Sequence, residues 1–63
     1  MAVLAVDGPG GRTLEPFDSF EEAAIAMDRQ AGVLEAKGYR VKFLADATLA
    51  IGESDGYLFQ VFD

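Results

Sequence analysis

One helical stripe of apolar residues most constrains how this chain can fold. Phe20, Ala24, Met27, Ala31 and Leu34 recur at spacings of four, three, four and three. At about 3.6 residues per turn, these side chains fall on one side of a helix. The spacing therefore predicts an amphipathic helix from Asp18 to Lys37, with strand-like segments on either side of it. One such helix is a suitable cover for a small sheet.

The start of this helix carries two equivalent capping signals. Ser19 with Glu22 matches the capping box, in which the hydroxyl caps a backbone N–H three residues on. Asp18 with Glu21 fits the same pattern. Either Asp18 or Ser19 can therefore be the N-cap of the predicted helix.

The end of the helix is predicted at Lys37 and Gly38. A basic residue in the last turn followed by glycine is typical of a helix C-terminus. Gly32 lies inside the segment, where glycine costs about 1 kcal/mol relative to alanine. We expect Gly32 to mark a kink, an early end of the helix or a close approach to another backbone.

Two strand-like segments precede the helix. Ala2 to Val6 is a continuous apolar run, which is consistent with a strand buried on both faces. The Gly- and Pro-rich residues 7–11 indicate a turn, and Arg12 to Phe17 is predicted as the second strand of a hairpin. Pro16 cannot donate a ladder hydrogen bond, so this strand should lie at a sheet edge or end there.

Three strand-like segments follow the helix. Residues 39–44 alternate apolar and basic side chains, and Thr48 to Ile51 is a short apolar strand. Asp55-Gly56 is a hairpin signal that precedes Tyr57 to Phe62. The order ββαβββ predicts a single α+β domain over residues 1–63, an antiparallel sheet with one helix on one face. The alternative order, ββαββ, merges or loses the strand at Thr48.

Residues that carry catalytic or metal chemistry are scarce. The chain has no cysteine and no histidine, which excludes disulfides and removes the usual ligands of transition metals. Ser19 and Ser54 have no histidine to activate them. Residues 8–13 lack the lysine of a phosphate-binding loop, and residues 53–56 lack the spacing of a calcium loop. We therefore expect a non-enzymatic protein with no cofactor and no metal.

The charge balance narrows the class of partner. Eleven acidic residues against five basic ones give a net charge of −6. Direct binding to nucleic acid is not expected, because phosphate contacts need clustered Lys and Arg. No segment has the length of a membrane span or of a signal-peptide core. The chain is therefore expected to be cytoplasmic, with no membrane contact, and to meet a protein partner with a basic surface.

The first and last strands are apolar on both faces, which one helix does not account for. Phe17, Leu58 and Phe62 are candidates for a sheet face that the helix leaves uncovered. On the helix, Ile25 and Val33 are predicted to point away from the stripe. Either a partner covers such side chains or a curled sheet and its loops hide them. The first is favoured, because monomers seldom expose large contiguous apolar patches.

The acidic residues of the helix segment are the main functional candidates. Asp18, Glu21, Glu22, Asp28 and Glu35 are predicted to contact a basic partner. In size, acidity and lack of catalytic residues, the chain is similar to small phage-encoded inhibitors, including anti-CRISPR proteins. That similarity implies an inhibitor or adaptor that docks on a basic surface of a nucleic-acid-handling protein. The alternative is a self-associating module that forms a homodimer through an apolar sheet or helix face.

Overall fold

The chain folds as one α-helix and five β-strands in a computed structural model that describes residues 1–63. The elements are β1 Ala2–Gly8, β2 Gly11–Phe17, α1 Phe20–Ala36, β3 Arg40–Phe43, β4 Thr48–Ile51 and β5 Gly56–Phe62. The predicted α+β class and the order ββαβββ are confirmed. The short strand at Thr48 is present, so the five-element alternative is wrong.

The five strands form a single antiparallel sheet in the order β2-β1-β5-β4-β3. The first and last strands of the chain are therefore neighbours, and Val3 pairs with Phe62. Strand β1 has a partner on each side, and so does β5. Their central position explains why both strands are rich in apolar side chains on both faces.

The sheet has its two edges at β2 and β3. Pro16 lies in β2, as predicted for a proline that cannot donate to a second neighbour. All residues of β2 except Phe17 are exposed. Strand β3 has only four residues and carries Arg40 and Lys42. Proline in one edge and charge in the other both discourage uncontrolled strand pairing.

Both ends of α1 are capped by their own sequence. The Ser19 hydroxyl accepts a hydrogen bond from the Glu22 N–H at 3.1 Å, so Ser19 is the N-cap. At the other end, the Tyr39 N–H donates to the Leu34 carbonyl at 3.1 Å and the Gly38 N–H donates to the Glu35 carbonyl at 3.0 Å. This pair of bonds is a Schellman motif. It places Gly38 at φ +101°, a conformation that favours glycine.

The interior of α1 is regular. Gly32 lies within an unbroken helix, and a Cβ added there would meet nothing within 4 Å. The expectation of an early helix end or a close backbone approach at Gly32 is therefore wrong. The helix is neither long nor apolar enough to cross a membrane.

The core lies between α1 and one face of the sheet. Leu4, Ala50 and Phe59 form its buried centre, and Ala23 and Ala31 are the buried residues of the helix. Small side chains on the helix let its backbone approach the sheet closely, so few large residues are enclosed.

One member of the predicted stripe lies outside this core. Phe20 is 52% exposed, because it is the first residue of the helix and reaches the end of the sheet. Ala23, one turn later, is fully buried. The stripe therefore faces the sheet side, with Phe20 at its exposed end.

Phe17 lies on the helix-covered face of the sheet, not on the uncovered one. It pairs with Ala2 and packs against the core cluster with its side chain half-buried. The prediction that Phe17 belongs to an uncovered face is wrong. The physical reason is the register of β2, which gives Phe17 the same side as Leu4, and the helix cap at Ser19, which brings α1 over it.

Candidate functional site

One face of the sheet has no covering element, and we call it the open face. Its side chains alternate along each strand with those that meet the helix. The apolar members of the open face are Val3, Leu14, Pro16, Leu49, Ile51, Leu58 and Phe62. They come from four of the five strands, so the apolar surface is continuous across the sheet.

Large side chains of the open face are in contact with solvent. Leu14 is 63% exposed, Ile51 50% and Phe62 48%, and Leu58 is half-buried. Ala5, between Leu14 and Gln60 in the register, is fully buried by these larger neighbours. The structure thus places Leu58 and Phe62 together on a surface that nothing in the chain covers.

An ion pair crosses one corner of the open face. The Arg12 Nε donates to Asp7 Oδ1 at 2.8 Å, and Arg12 Nη2 donates to Asp7 Oδ2 at 2.9 Å. The hydrogen bond from Arg12 lowers the pKa of the Asp7 carboxyl below its ordinary 3.8. The same contact raises the pKa of the guanidinium. Arg12 is therefore neutralised within the face.

The remaining charges of the open face are unpaired and positive. Arg40 lies opposite Ile51, and Lys42 lies opposite Leu49. Neither makes an ion pair, because the only one in the molecule is that of Arg12. With Arg12, this face holds three of the five basic residues in a chain of net charge −6.

A second surface lies at the end of the molecule where α1 begins, and we call it the end groove. It has a volume of about 340 Å³ between the first turns of α1 and the β3–β4 connection. Phe20 is 52% exposed there, Phe43 70% and Leu44 48%. Ala24 and Met27 line its helix side. This is an apolar recess with large side chains at its mouth.

The end groove contains no basic side chain. Asp46 is the only charged residue among those that line it.

Sequence reasoning missed this groove, although the consecutive apolar residues Phe43 and Leu44 at the end of β3 were a signal for it. The groove depends on how the β3–β4 connection sits against the helix, which periodicity does not determine.

Three of the five candidate acids form a row on α1, which we call the acidic row. Glu21, Asp28 and Glu35 are spaced seven residues apart. Seven residues are nearly two full turns, so these carboxylates follow one line with steps of about 10 Å. The row runs beside Ala24, which lines the end groove. All three residues are exposed.

The other two candidate acids are separate from this row. Glu22 is turned away from it by about 100° around the helix axis. Asp18 precedes the N-cap and lies outside the helix. Both are exposed. The structure thus gathers Glu21, Asp28 and Glu35 and does not bring Asp18 or Glu22 to the same line.

The solvent side of α1, which we call the outer side, carries Ile25, Arg29, Gly32 and Val33. Ile25 is 49% exposed and Val33 56%. Glu21 precedes Ile25 by four residues and Asp28 follows it by three, so both carboxylates flank this side chain. The outer side therefore holds two exposed aliphatic side chains and Arg29, with Glu21 and Asp28 along one border.

A tyrosine contact lies outside both surfaces. The Tyr39 hydroxyl donates to Asp55 Oδ1 at 2.8 Å, and the Tyr39 ring meets the Tyr57 ring edge-on with centroids 5.7 Å apart. The hydrogen bond to Asp55 raises the pKa of Tyr39 to about 12. The contact ties the β4–β5 turn to the end of the helix.

No group of three or more carboxylates is placed to hold a metal ion.

Comparisons of the chain with protein families, with curated proteins and with solved structures gave no match.

Proposed function

We propose that this chain is a non-enzymatic, cytoplasmic protein-binding module, an inhibitor or adaptor that docks on a basic surface of a nucleic-acid-handling protein. The observation that carries the proposal is the acidic row beside the end groove. Glu21 and Asp28 lie three and four residues from Ala24, which lines an apolar recess with no basic side chain. A partner that fits there offers an apolar anchor next to Lys or Arg.

The two parts of this surface have different roles in binding. The end groove supplies affinity, since burying one large apolar side chain is worth roughly 1.5–3 kcal/mol. The carboxylates mainly raise the association rate and select against acidic partners. Because Phe20, Phe43 and Leu44 are already exposed in the free chain, an incoming anchor does not first have to open the core.

Proteins that handle nucleic acid are the class of partner that this combination favours. Their binding surfaces concentrate Lys and Arg, because they neutralise phosphates. A chain with net charge −6 is attracted to such a surface from a distance. The chain would then occupy the surface where nucleic acid binds, and inhibition would follow from competition.

The experiment is a pull-down from a bacterial lysate with the tagged chain, at low and high salt, read by mass spectrometry. We expect one basic nucleic-acid-handling protein at low salt and its loss at high salt, because exposed charges are screened. The double change Glu21→Lys with Asp28→Lys should abolish capture without unfolding the domain. Glu53→Lys with Asp63→Lys makes the same change in charge away from the helix and serves as the matched control.

A groove variant separates the apolar part from the charges. Phe43→Ser removes the most exposed aromatic of the end groove and should weaken capture at both salt concentrations. Unchanged capture by the acid-to-Lys pair would contradict the electrostatic part of the proposal. If the Phe43→Ser chain still captures the partner and the acid-to-Lys pair does not, the end groove is not part of the interface.

The second candidate function is self-association, and the open face is the observation that favours it. Leu14, Ile51 and Phe62 leave a continuous apolar surface in water, of the kind that usually has a partner. Light scattering across a range of protein concentrations tests this candidate. A mass that rises with concentration supports it, and a monomer mass throughout contradicts it.

A further inference from the structure

We infer that the open face binds the outer side of α1 of a second copy, so that copies associate head to tail. This inference rests on the second candidate function, self-association, and identifies the two surfaces that meet. The occupant of the open face is then a second copy of this chain.

Charge is the first argument for this pairing. The strand residues of the open face carry three bases and one acid, a net charge of +2. Residues 20–36 of α1 carry four acids and one base, a net charge of −3. One molecule therefore presents surfaces of opposite sign on opposite sides of its sheet. Such surfaces attract each other between copies.

The positions of the charges support the same pairing. Arg40 and Lys42 lie side by side on one edge of the open face, directly beside the apolar residues Ile51 and Leu49. On the helix, Asp28 lies directly beside Ile25. Each surface thus has apolar side chains next to charges, and the helix offers four acids against the single base Arg29. Neither Arg40 nor Lys42 has an ion-pair partner within its own chain.

A symmetric sheet-to-sheet dimer is disfavoured by the same charges. Stacking two open faces brings two surfaces of net charge +2 together, and stacking two helices brings two segments of net charge −3 together. Like charges across an interface act against association. The head-to-tail arrangement is the one that pairs surfaces of opposite net charge.

This arrangement has a geometric consequence. Each copy uses its open face for one neighbour and its helix for another, so the contact is heterologous and does not close on itself as a two-fold dimer does. The open face of a five-strand sheet is only about 24 Å wide. The single contact is therefore small, and the mass should grow gradually with concentration without stopping at a dimer.

Two single changes test which surfaces meet. Ile25→Lys places a cation in the middle of the outer side of α1, and Ile51→Glu places an anion beside Arg40 on the open face. Both positions are about half exposed, 49% and 50%, so the fold should tolerate either change. Each variant alone should stay monomeric, with an apparent dissociation constant raised about tenfold or more.

Mixing the two variants gives the decisive result. The Ile25→Lys chain retains an intact open face, and the Ile51→Glu chain retains an intact outer side. An equimolar mixture should form a one-to-one dimer that does not grow further, seen by analytical ultracentrifugation. If either variant does not fold, by circular dichroism, Val33→Lys or Leu14→Glu replaces it on the same surface. Leu44→Glu, in the end groove, is the matched control and should associate like the parent chain.

Other results would overturn the inference in distinguishable ways. If the parent chain is monomeric at all concentrations, self-association itself is absent. If Ile25→Lys associates like the parent chain while Ile51→Glu does not, the copies meet through two open faces. The reverse result shows a contact between two helices. If the mixture of two monomeric variants stays monomeric, the head-to-tail contact is excluded.

Discussion

The two faces of this sheet both carry large apolar side chains but have different surroundings. On the covered face, Leu4 and Phe59 are enclosed by α1. On the open face, Leu14 and Phe62 lie on the two strands that flank β1 and remain in water. The difference shows that a strand with apolar side chains on both of its faces indicates a central position in the sheet. This pattern does not indicate that both faces of the sheet are covered by other parts of the chain.

The largest expected effect compares two phenylalanines on opposite faces of β5. Phe59→Ala leaves a cavity under the helix and should destabilise the fold by about 3–5 kcal/mol. Phe62→Ala removes a side chain that is 48% exposed, so the expected loss is about 1 kcal/mol or less. Urea denaturation followed by circular dichroism measures both.

The comparison fails if the two losses are equal, since Phe62 would then be as enclosed as Phe59. Because Phe59→Ala can unfold so small a domain outright, Phe59→Leu is the milder variant of the same position. It should lose less than Phe59→Ala and still more than Phe62→Ala.

The next effect concerns the helix that distinguishes the faces. Ser19→Ala removes the cap that accepts the Glu22 N–H and should destabilise the fold by about 1 kcal/mol. Ser54→Ala, in the β4–β5 turn, is the matched control and should leave the midpoint of thermal unfolding unchanged. A shift of equal size in the two variants would mean that the hydroxyl at position 19 has no special role.

The smallest effects appear at opposite ends of the pH scale. On the covered side, the Tyr39 pKa is raised to about 12, because the neutral phenol donates to Asp55. That stabilisation is full below pH 10 and should be lost as the pH rises from about 10 to 12. On the open face, the Asp7 pKa is lowered by Arg12. Its stabilisation is present above pH 3.8 and should be lost as the pH falls below that value.

Two variants assign these pH effects. Tyr39→Phe should remove the alkaline loss of stability and leave the acid side unchanged, and Asp7→Asn should do the opposite. Thermal unfolding at a series of pH values measures both. A parent chain and a Tyr39→Phe chain with the same alkaline slope would show that the Tyr39 hydrogen bond does not contribute.

Local sequence signals were enough for the order of elements and for their ends. Ser19 and Gly38 are determined by hydrogen bonds within a few residues, and Pro16 indicates an edge without any tertiary information. Phe17 was misplaced because its face depends on the register between two strands. A shift of one residue in that register would exchange the faces.

The candidate surfaces were less accessible to sequence reasoning. The acidic row follows from spacing alone, since Glu21, Asp28 and Glu35 are seven residues apart. Predicting the end groove requires the relative position of Leu44 and Phe20, two residues that are distant in sequence. The net positive charge of the open face follows only from the pairing of β3 with β4, which places Arg40 and Lys42 beside Ile51 and Leu49.

The pairing of β1 with β5 has a consequence for how the chain acquires its structure. The β1–β2 hairpin and the β3–β4–β5 segment are each local, but their only strand-to-strand link is at the middle of the sheet, where Val3 meets Phe62. During synthesis, the edge of β1 that does not pair with β2 must therefore wait until β5 has left the ribosome. Contacts so distant in sequence slow folding. We expect a single cooperative transition with no stable half.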